Sequence, residues 1–268
     1  MKMSRRTDVA TVGGLIIAAV GLFLGLKLEG IELYDVGQAT AALIVCCGTI
    51  GAVLISMPLA QTVHALKLLP EMFRNTGERD SDAINGIIKL ARSVRTRGLL
   101  ALERETEKIP DPFLRRGMRM AVDAVGIETI KSVLDLDIEG MKAQAESAAV
   151  FYETAAGYAP TLGVAGAALG LVQVMKHIEH VEQVGKGVAA AFVATIYGVL
   201  LANLLFLPIA TKIRARAESR VRMCSILREG VVAIATGMNP ALIRLQLEAL
   251  AQIHNDRPSA SAVRAMSA

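Results

Sequence analysis

The acidic run Asp135-x-Asp137-x-Glu139-Gly140-x5-Glu146 has the order of a calcium loop, with glycine sixth and glutamate twelfth. Its chemistry would be oxygen ligation of a hard cation. Two positions argue against it. The fifth place is Glu139 rather than Asp or Asn, and Lys142 fills the eighth, where an apolar residue belongs. His177 and His180, with Glu179 and Glu182, could set metal ligands on one side of a turn. Exposed charged loops often carry such a spacing, so we read no metal site and no cofactor. The sequence holds no GxxxxGK[ST], HExxH or GxSxG motif and no Ser/His/Asp arrangement, which speaks against an enzyme. Chemistry is left to residues inside apolar runs. Pro160 and Pro208 each remove a backbone hydrogen bond, and Thr195 and Tyr197 place hydroxyls in the middle of one run.

The apolar runs must position these residues. Of 268 residues, 53% are apolar, 20% charged and 4% aromatic, and the mean hydropathy is +0.46. Val36–Leu66, Thr154–Met175 and Gly187–Thr211 contain no Asp, Glu, Lys or Arg, and Val9–Leu26 is a shorter run of the same kind. A bilayer core needs roughly 20 apolar residues of helix. The chain therefore reads as an all-α integral membrane protein with four spans, at about 9–27, 36–58, 154–175 and 187–210. A soluble enzyme, a disordered chain and a disulfide-built secreted protein are excluded. The first run is longer than a signal-peptide core, and Leu24, Leu26 and Leu28 occupy the place of a cleavage site, so it reads as an uncleaved span.

Charge sets the orientation. Residues 1–8 carry +2, Lys27–Asp35 carries −2, and Lys212–Ala268 carries +5. Basic excess flanking the membrane places both termini and the central segment in the cytoplasm. No basic stripe with interleaved aromatics points to nucleic acid. Cys46, Cys47 and Cys224 form no disulfide framework.

Residues 1–58 are then an N-terminal stub and a transmembrane hairpin, and 59–153 a helical cytoplasmic domain. Ile84, Ile87, Ile88, Ala91 and Val94 make one apolar stripe at helical spacing, with Ser81 as N-cap. Leu99, Leu100 and Leu102 precede a charged stretch, and Ile109-Pro110-Asp111-Pro112 breaks the pattern. A helix over about Phe113–Ala124 follows, and a long one from near Ile127 leads into the third span without a stop. Residues 154–211 hold the last two spans. Residues 212–268 give a basic helix over Lys212–Ile234, ended by Gly237 and Asn239-Pro240, then a last helix through Ile253 and a disordered tail. No strand is expected.

Apart from Lys27 at the edge of the first, the spans carry no Asp, Glu, Lys, Arg or His. Such residues usually mark an ion pathway, so an ion-binding group must come from another polypeptide. The third span is small-faced instead, with Gly157, Gly163, Gly166, Ala167 and Gly170 offering close helix approach.

The block from Ala159-Pro160-Thr161-Leu162-Gly163 through Gly170-Leu171-Val172 resembles the third span of the flagellar stator A subunit, the MotA/PomA group. Thr195-Ile196-Tyr197-Gly198, Asn203 and Leu207-Pro208-Ile209-Ala210 resemble its fourth span, and Arg95-x-x-Gly98-x-x-x-Leu102-Glu103 its rotor-facing stretch. ExbB and TolQ are broader relatives, and an ExbB/TolQ-like subunit energising another envelope process is the alternative. The initial two-span hairpin favours the motor branch.

The resemblance implies a homopentamer around two copies of a single-span B subunit, which supplies the ion-binding aspartate. It implies ion flow across the inner membrane coupled to torque on a rotor switch protein at the cytoplasmic face. Pro160, Ala167, Thr195, Tyr197 and Pro208 would belong to the ion pathway and its coupling, and Arg95 and Glu103 to the rotor contact. Sodium-driven relatives carry threonine where this chain has Ala167. One hydroxyl, Thr195, is then left for cation coordination, and that favours protons.

Overall fold

The computed structural model describes residues 6–7, 9–70, 74–75, 80–99, 102–176, 178–179 and 181–256. Lys2, Arg5, Leu100, His177, His180 and the tail beyond Asp256 lie outside the described residues. Helix dominates, as composition and periodicity require. Four helices are long and apolar enough to cross a membrane. They are α1 (Val9–Leu28), α3 (Ala39–Ser56), the 50-residue α8 (Ile127–Lys176), and the helix beginning with α9 (Val181–Leu200). The last continues through a wider π-type stretch, Leu201–Phe206, into α10 (Leu207–Ala235). The unbroken passage from Ile127 into the third span is as the sequence indicates.

The chain divides into two compact units. The first comprises residues 1–76 and 146–213, and it holds the apolar helices. A short helix α2 (Leu33–Val36) leads into α3, and α4 (Leu59–Leu68) follows the exit at Pro58. Ala41, Val45, Thr49 and Val53 recur every fourth residue of α3, and this is the stripe it buries. Tyr152, buried in α8, donates its hydroxyl to the Ala65 carbonyl of α4 at 3.0 Å. Burial pushes the Tyr152 phenol up, so it stays a protonated donor. One departure from the all-helical expectation is a two-residue antiparallel ladder, β1 (Arg6–Thr7) with β2 (Arg74–Asn75). Two residues are too few for strand alternation to show in a sequence.

The second unit, residues 77–145 and 214–268, joins the central segment to the C-terminal helices. Its core gathers Ile84, Ile87, Ile88 and Ala91 of α5 (Asp80–Arg97) with residues such as Met118, Leu134, Ile226 and Leu247. The apolar stripe of α5 is therefore the buried face that its spacing predicts. Ser81 is not the N-cap, because the helix already begins at Asp80. Two acids, Asp80 and Asp82, occupy that first turn and complement the helix dipole in its place. Gly98 at φ +82° ends α5, and a short α6 (Glu103–Thr106) follows with Leu102 fully buried before it. Helix α7 (Pro112–Val122) begins one residue before the expected Phe113, with Pro112 as its first residue, and Asp111 Oδ1 accepts from the Leu114 amide at 2.9 Å.

Ion pairs tie the two sequence-distant parts of this unit together. Arg220 of α10 meets the other oxygen of Asp111 at 2.7 Å. Arg228 pairs with Asp135 of α8 and with Glu229, the latter at 2.7 Å. Burial alone would lower the Arg228 guanidinium, but hydrogen bonds and charge from Glu229 and Asp135 outweigh that and hold it above its ordinary value. Arg116 pairs with Asp137 at 2.9 Å. Two acids of the calcium-like run thus serve as ion-pair partners on a helix, and no metal-binding group of His, Cys, Asp and Glu occurs among the described residues.

Helices α7 and α10 end alike. After α10, the Met238 amide donates to Ala233 and the Gly237 amide to Ile234, with Gly237 at φ +71°. After α7, Val125 donates to Met120 and Ala124 to Ala121, with Ala124 at φ +56°. Both are Schellman endings, but alanine carries a Cβ into the left-handed region. Ala124→Gly should therefore stabilise the protein by about 0.5–1 kcal/mol. Thermal unfolding of the detergent-solubilised protein would show a raised midpoint, and a lowered one would contradict the assignment.

Candidate functional site in the apolar unit

Helices α8 and α9 approach along small residues. A Cβ added at Gly163 would lie 2.9 Å from the Ala194 carbonyl oxygen and 3.3 Å from the Thr195 Cα. At Gly166 it would lie 3.0 Å from the Ala194 Cβ, and at Gly170 3.1 Å from Ala191. In the other direction, a Cβ at Gly198 would sit 2.5 Å from the Ala159 carbonyl oxygen and 3.0 Å from the Pro160 Cα. The pairing runs antiparallel, with 163, 166 and 170 facing 198, 194 and 191. Gly157 does not take part, since a Cβ added there would meet nothing within 4 Å. Glycine at these contacts lets backbones pack closer than any Cβ would permit.

Several hydroxyls in this unit are turned inward on their own helices. Thr49 donates to Val45 at 2.6 Å, Thr195 to Ala191 at 3.4 Å, and Thr211 to Leu207 at 3.0 Å. Such bonds satisfy a hydroxyl where lipid cannot. Besides the Tyr152–Ala65 bond, further contacts run between helices. The Tyr197 hydroxyl donates to the Val36 carbonyl at 2.5 Å, and Ser56 and Tyr158 share a hydrogen bond of 2.8 Å.

The residues singled out in the sequence do not gather at one point. Pro160 and Thr195 meet at the α8–α9 contact, both half-buried, through Gly198 and Gly163. Ala167 is half-buried on α8, one residue beyond Gly166. Tyr197 turns away from that contact and packs with Ala41, Val193 and Ala194 beside the hairpin. Pro208 is exposed just after the π-type stretch, where the Leu207 amide bonds five residues back to Ala202. The widened turn accommodates a proline ring that would strike the carbonyl four residues earlier. Asn203 within it donates its side-chain amide to the Val199 carbonyl at 2.9 Å.

Arg95 and Glu103 belong to the other unit. They lie on separate helices, α5 and α6, both exposed, with the Gly98 turn between them. The pair that this turn brings together is Arg97 and Glu105, at 3.2 Å. Sequence reasoning missed the partner face of α9. Its signal is the spacing of Gly187, Ala191, Ala194 and Gly198, a small-residue stripe matching that of α8.

With this geometry in view, the similarities to known proteins are specific. Motility protein A of Bacillus subtilis is 33% identical over 245 residues, covering 90% of this chain and 89% of that protein. The chain belongs to the MotA/TolQ/ExbB proton channel family. The family's own model matches residues 105–226, which include α7, α8, α9 and most of α10. Two solved structures share the fold. "Structure of C. jejuni MotAB" aligns with a TM-score of 0.86 at 28% identity, over 91% of this chain and 95% of that one. The flagellar MotAB stator complex of Bacillus subtilis aligns with a TM-score of 0.82 at 32% identity, over 88% and 93%. The family is one of ion channels rather than of enzymes.

Gly198→Ala should force α8 and α9 apart at Pro160 and abolish motility. Gly157→Ala, which meets open space, should swim as the parent does. Swarm diameters of the two variants, with membrane levels measured alongside, check the assignment. A normal Gly198→Ala swarm would overturn it.

Proposed function

We propose that this chain is the A subunit of a flagellar motor stator, a multi-pass protein of the inner membrane with both termini in the cytoplasm. With a single-span B partner it conducts protons and couples their flow to torque on the rotor. One observation carries this reading. Helices of the length and composition of spans pack closely through glycines, yet residues 36–58, 154–175 and 187–210 contain no Asp, Glu, Lys, Arg or His. A proton path without a carboxylate or imidazole needs one from elsewhere, and the solved relatives are complexes of an A chain with a B chain.

In this reading five copies surround the B partner, whose carboxylate carries the proton. Residues 154–211 line the path, 59–153 face the rotor, and 212–268 close the cytoplasmic part. Pro160 and Pro208 each lack the amide hydrogen of a helical residue, which takes one backbone bond out of each helix. Thr195, with its long bond to Ala191, keeps a hydroxyl available at the same level as Gly163. Tyr197 holds the fourth span against the hairpin. Arg95 and Glu103 present exposed charge to the rotor.

Pro160→Leu and Pro208→Leu should each abolish swimming while the complex with the B partner still assembles and purifies. Retained swimming would remove the prolines from the path. The ion follows from Ala167, which offers no ligand oxygen. Swimming speed should fall when an uncoupler collapses the proton gradient and should not change between sodium-rich and sodium-free medium. Speed that tracks external sodium would overturn the proton assignment.

A further inference from the structure

Three of the four tyrosines reach the segment that runs from α2 through α3 to α4. Tyr197 does so from α9, while Tyr152 and Tyr158 do so from α8. Ser56 has a single hydroxyl hydrogen, which it donates to the Ala52 carbonyl at 2.7 Å. Tyr158 is therefore the donor in its 2.8 Å bond to Ser56. Tyr152, only 3% exposed, donates to the Ala65 carbonyl at 3.0 Å. Ser56 ends α3 and Ala65 lies within α4, so the two bonds grip either side of the turn at Pro58.

Both tyrosines precede Pro160, which lies inside α8 and takes one backbone bond out of it. Past Pro160 the contact between α3 and α8 changes in kind. A Cβ added at Gly48 would lie 3.2 Å from Leu162 Cδ1, and one at Gly166 would lie 3.5 Å from Ile44 Cγ2. Those contacts are apolar and non-directional, whereas a hydrogen bond fixes both distance and angle. A missing backbone bond makes a proline the place where a helix bends. We infer that Tyr152 and Tyr158 are positioning residues. They anchor the arm of α8 before Pro160 to the α3–α4 segment, so that bending at Pro160 is delivered to the arm beyond it. Ser56 is then the accepting half of one anchor. The inference rests on the stator reading, in which the arm beyond Pro160 lines the ion path.

The test uses the complete stator complex in cells that carry the rotor. Readouts are torque of tethered cells, membrane level of the complex, and cytoplasmic acidification on its overproduction. Tyr152→Phe, Tyr158→Phe and Ser56→Ala each remove one hydroxyl and keep the rest of the packing. Each is expected to cut torque about three-fold, the population shift that losing one interhelical hydrogen bond gives. Membrane level should be unchanged, and acidification should fall less than torque. The double variant Ser56→Ala/Tyr158→Phe should be no worse than either single change, because both remove the same bond. Ser56→Thr keeps a hydroxyl and should retain parental torque. Thr49→Val removes a hydroxyl that bonds to Val45 of its own helix, and it should also match the parent. Parental torque in Tyr152→Phe, Tyr158→Phe or Ser56→Ala would overturn the proposal. So would losses that multiply in the double variant, an equal defect in Thr49→Val, or torque, level and acidification falling together. Pro160→Leu runs alongside. If it abolishes torque while the tyrosine variants do not, the anchors are refuted and the stator reading stands. If Pro160→Leu turns as the parent does, the path role of Pro160 fails and the anchors fail with it.

Discussion

A hydrocarbon bilayer offers no water to an exposed amide or carbonyl, so a spanning segment must satisfy its backbone internally. Much of the apolar unit follows from that constraint. Hydroxyls on its helices fold back onto carbonyls three or four residues earlier, as at Thr49, Thr161 and Thr211. With these hydroxyls satisfied this way and no charge inside the later three spans, helices are left to associate by shape. The glycine faces of α8 and α9 provide that shape. The backbone rule is broken at Pro160, at Pro208 and in the widened turn before Pro208, where regular helical backbone bonds are lost.

The second unit follows a different rule. Water is available to it, so charged side chains can link sequence-distant helices without being fully buried. Asp111 shows how densely these roles are packed. One carboxylate caps α7 with one oxygen and holds Arg220 of α10 with the other. Basic residues that orient a membrane chain by their number also act individually as structural partners, as Arg220, Arg228 and Arg244 do. An apolar core of isoleucine, leucine and methionine lies between these links.

Long periodic elements were legible in the sequence because their signals are collective. The four apolar runs, the α5 stripe and the uninterrupted α8 each rest on many residues agreeing. Ends were legible only where chemistry announces them. Pro112 after Asp111 marks the start of α7, and Gly237 marks the end of α10. Ala124 ends α7 in the same geometry without any residue-level cue, which is why the helix reads two residues too long. Ser81 misleads in the opposite sense, being a good cap residue one position inside a helix. The α8 half of the candidate site was visible as a glycine pattern. Its α9 half was obscured because Ala191 and Ala194, set among other alanines in an apolar run, look like ordinary hydrophobic filler until a partner helix lies opposite them.

The antiparallel glycine contact also bears on hydration. Backbone atoms of α8 and α9 approach so closely at Gly163 and Gly198 that a single methyl group would collide. A water molecule occupies roughly 30 Å³ of liquid volume, and the contacts at Gly163 and Gly198 leave no room for one. In the stator reading proposed above, a wet route would then run along an outer face of this helix pair, where other polypeptides would supply the remaining walls.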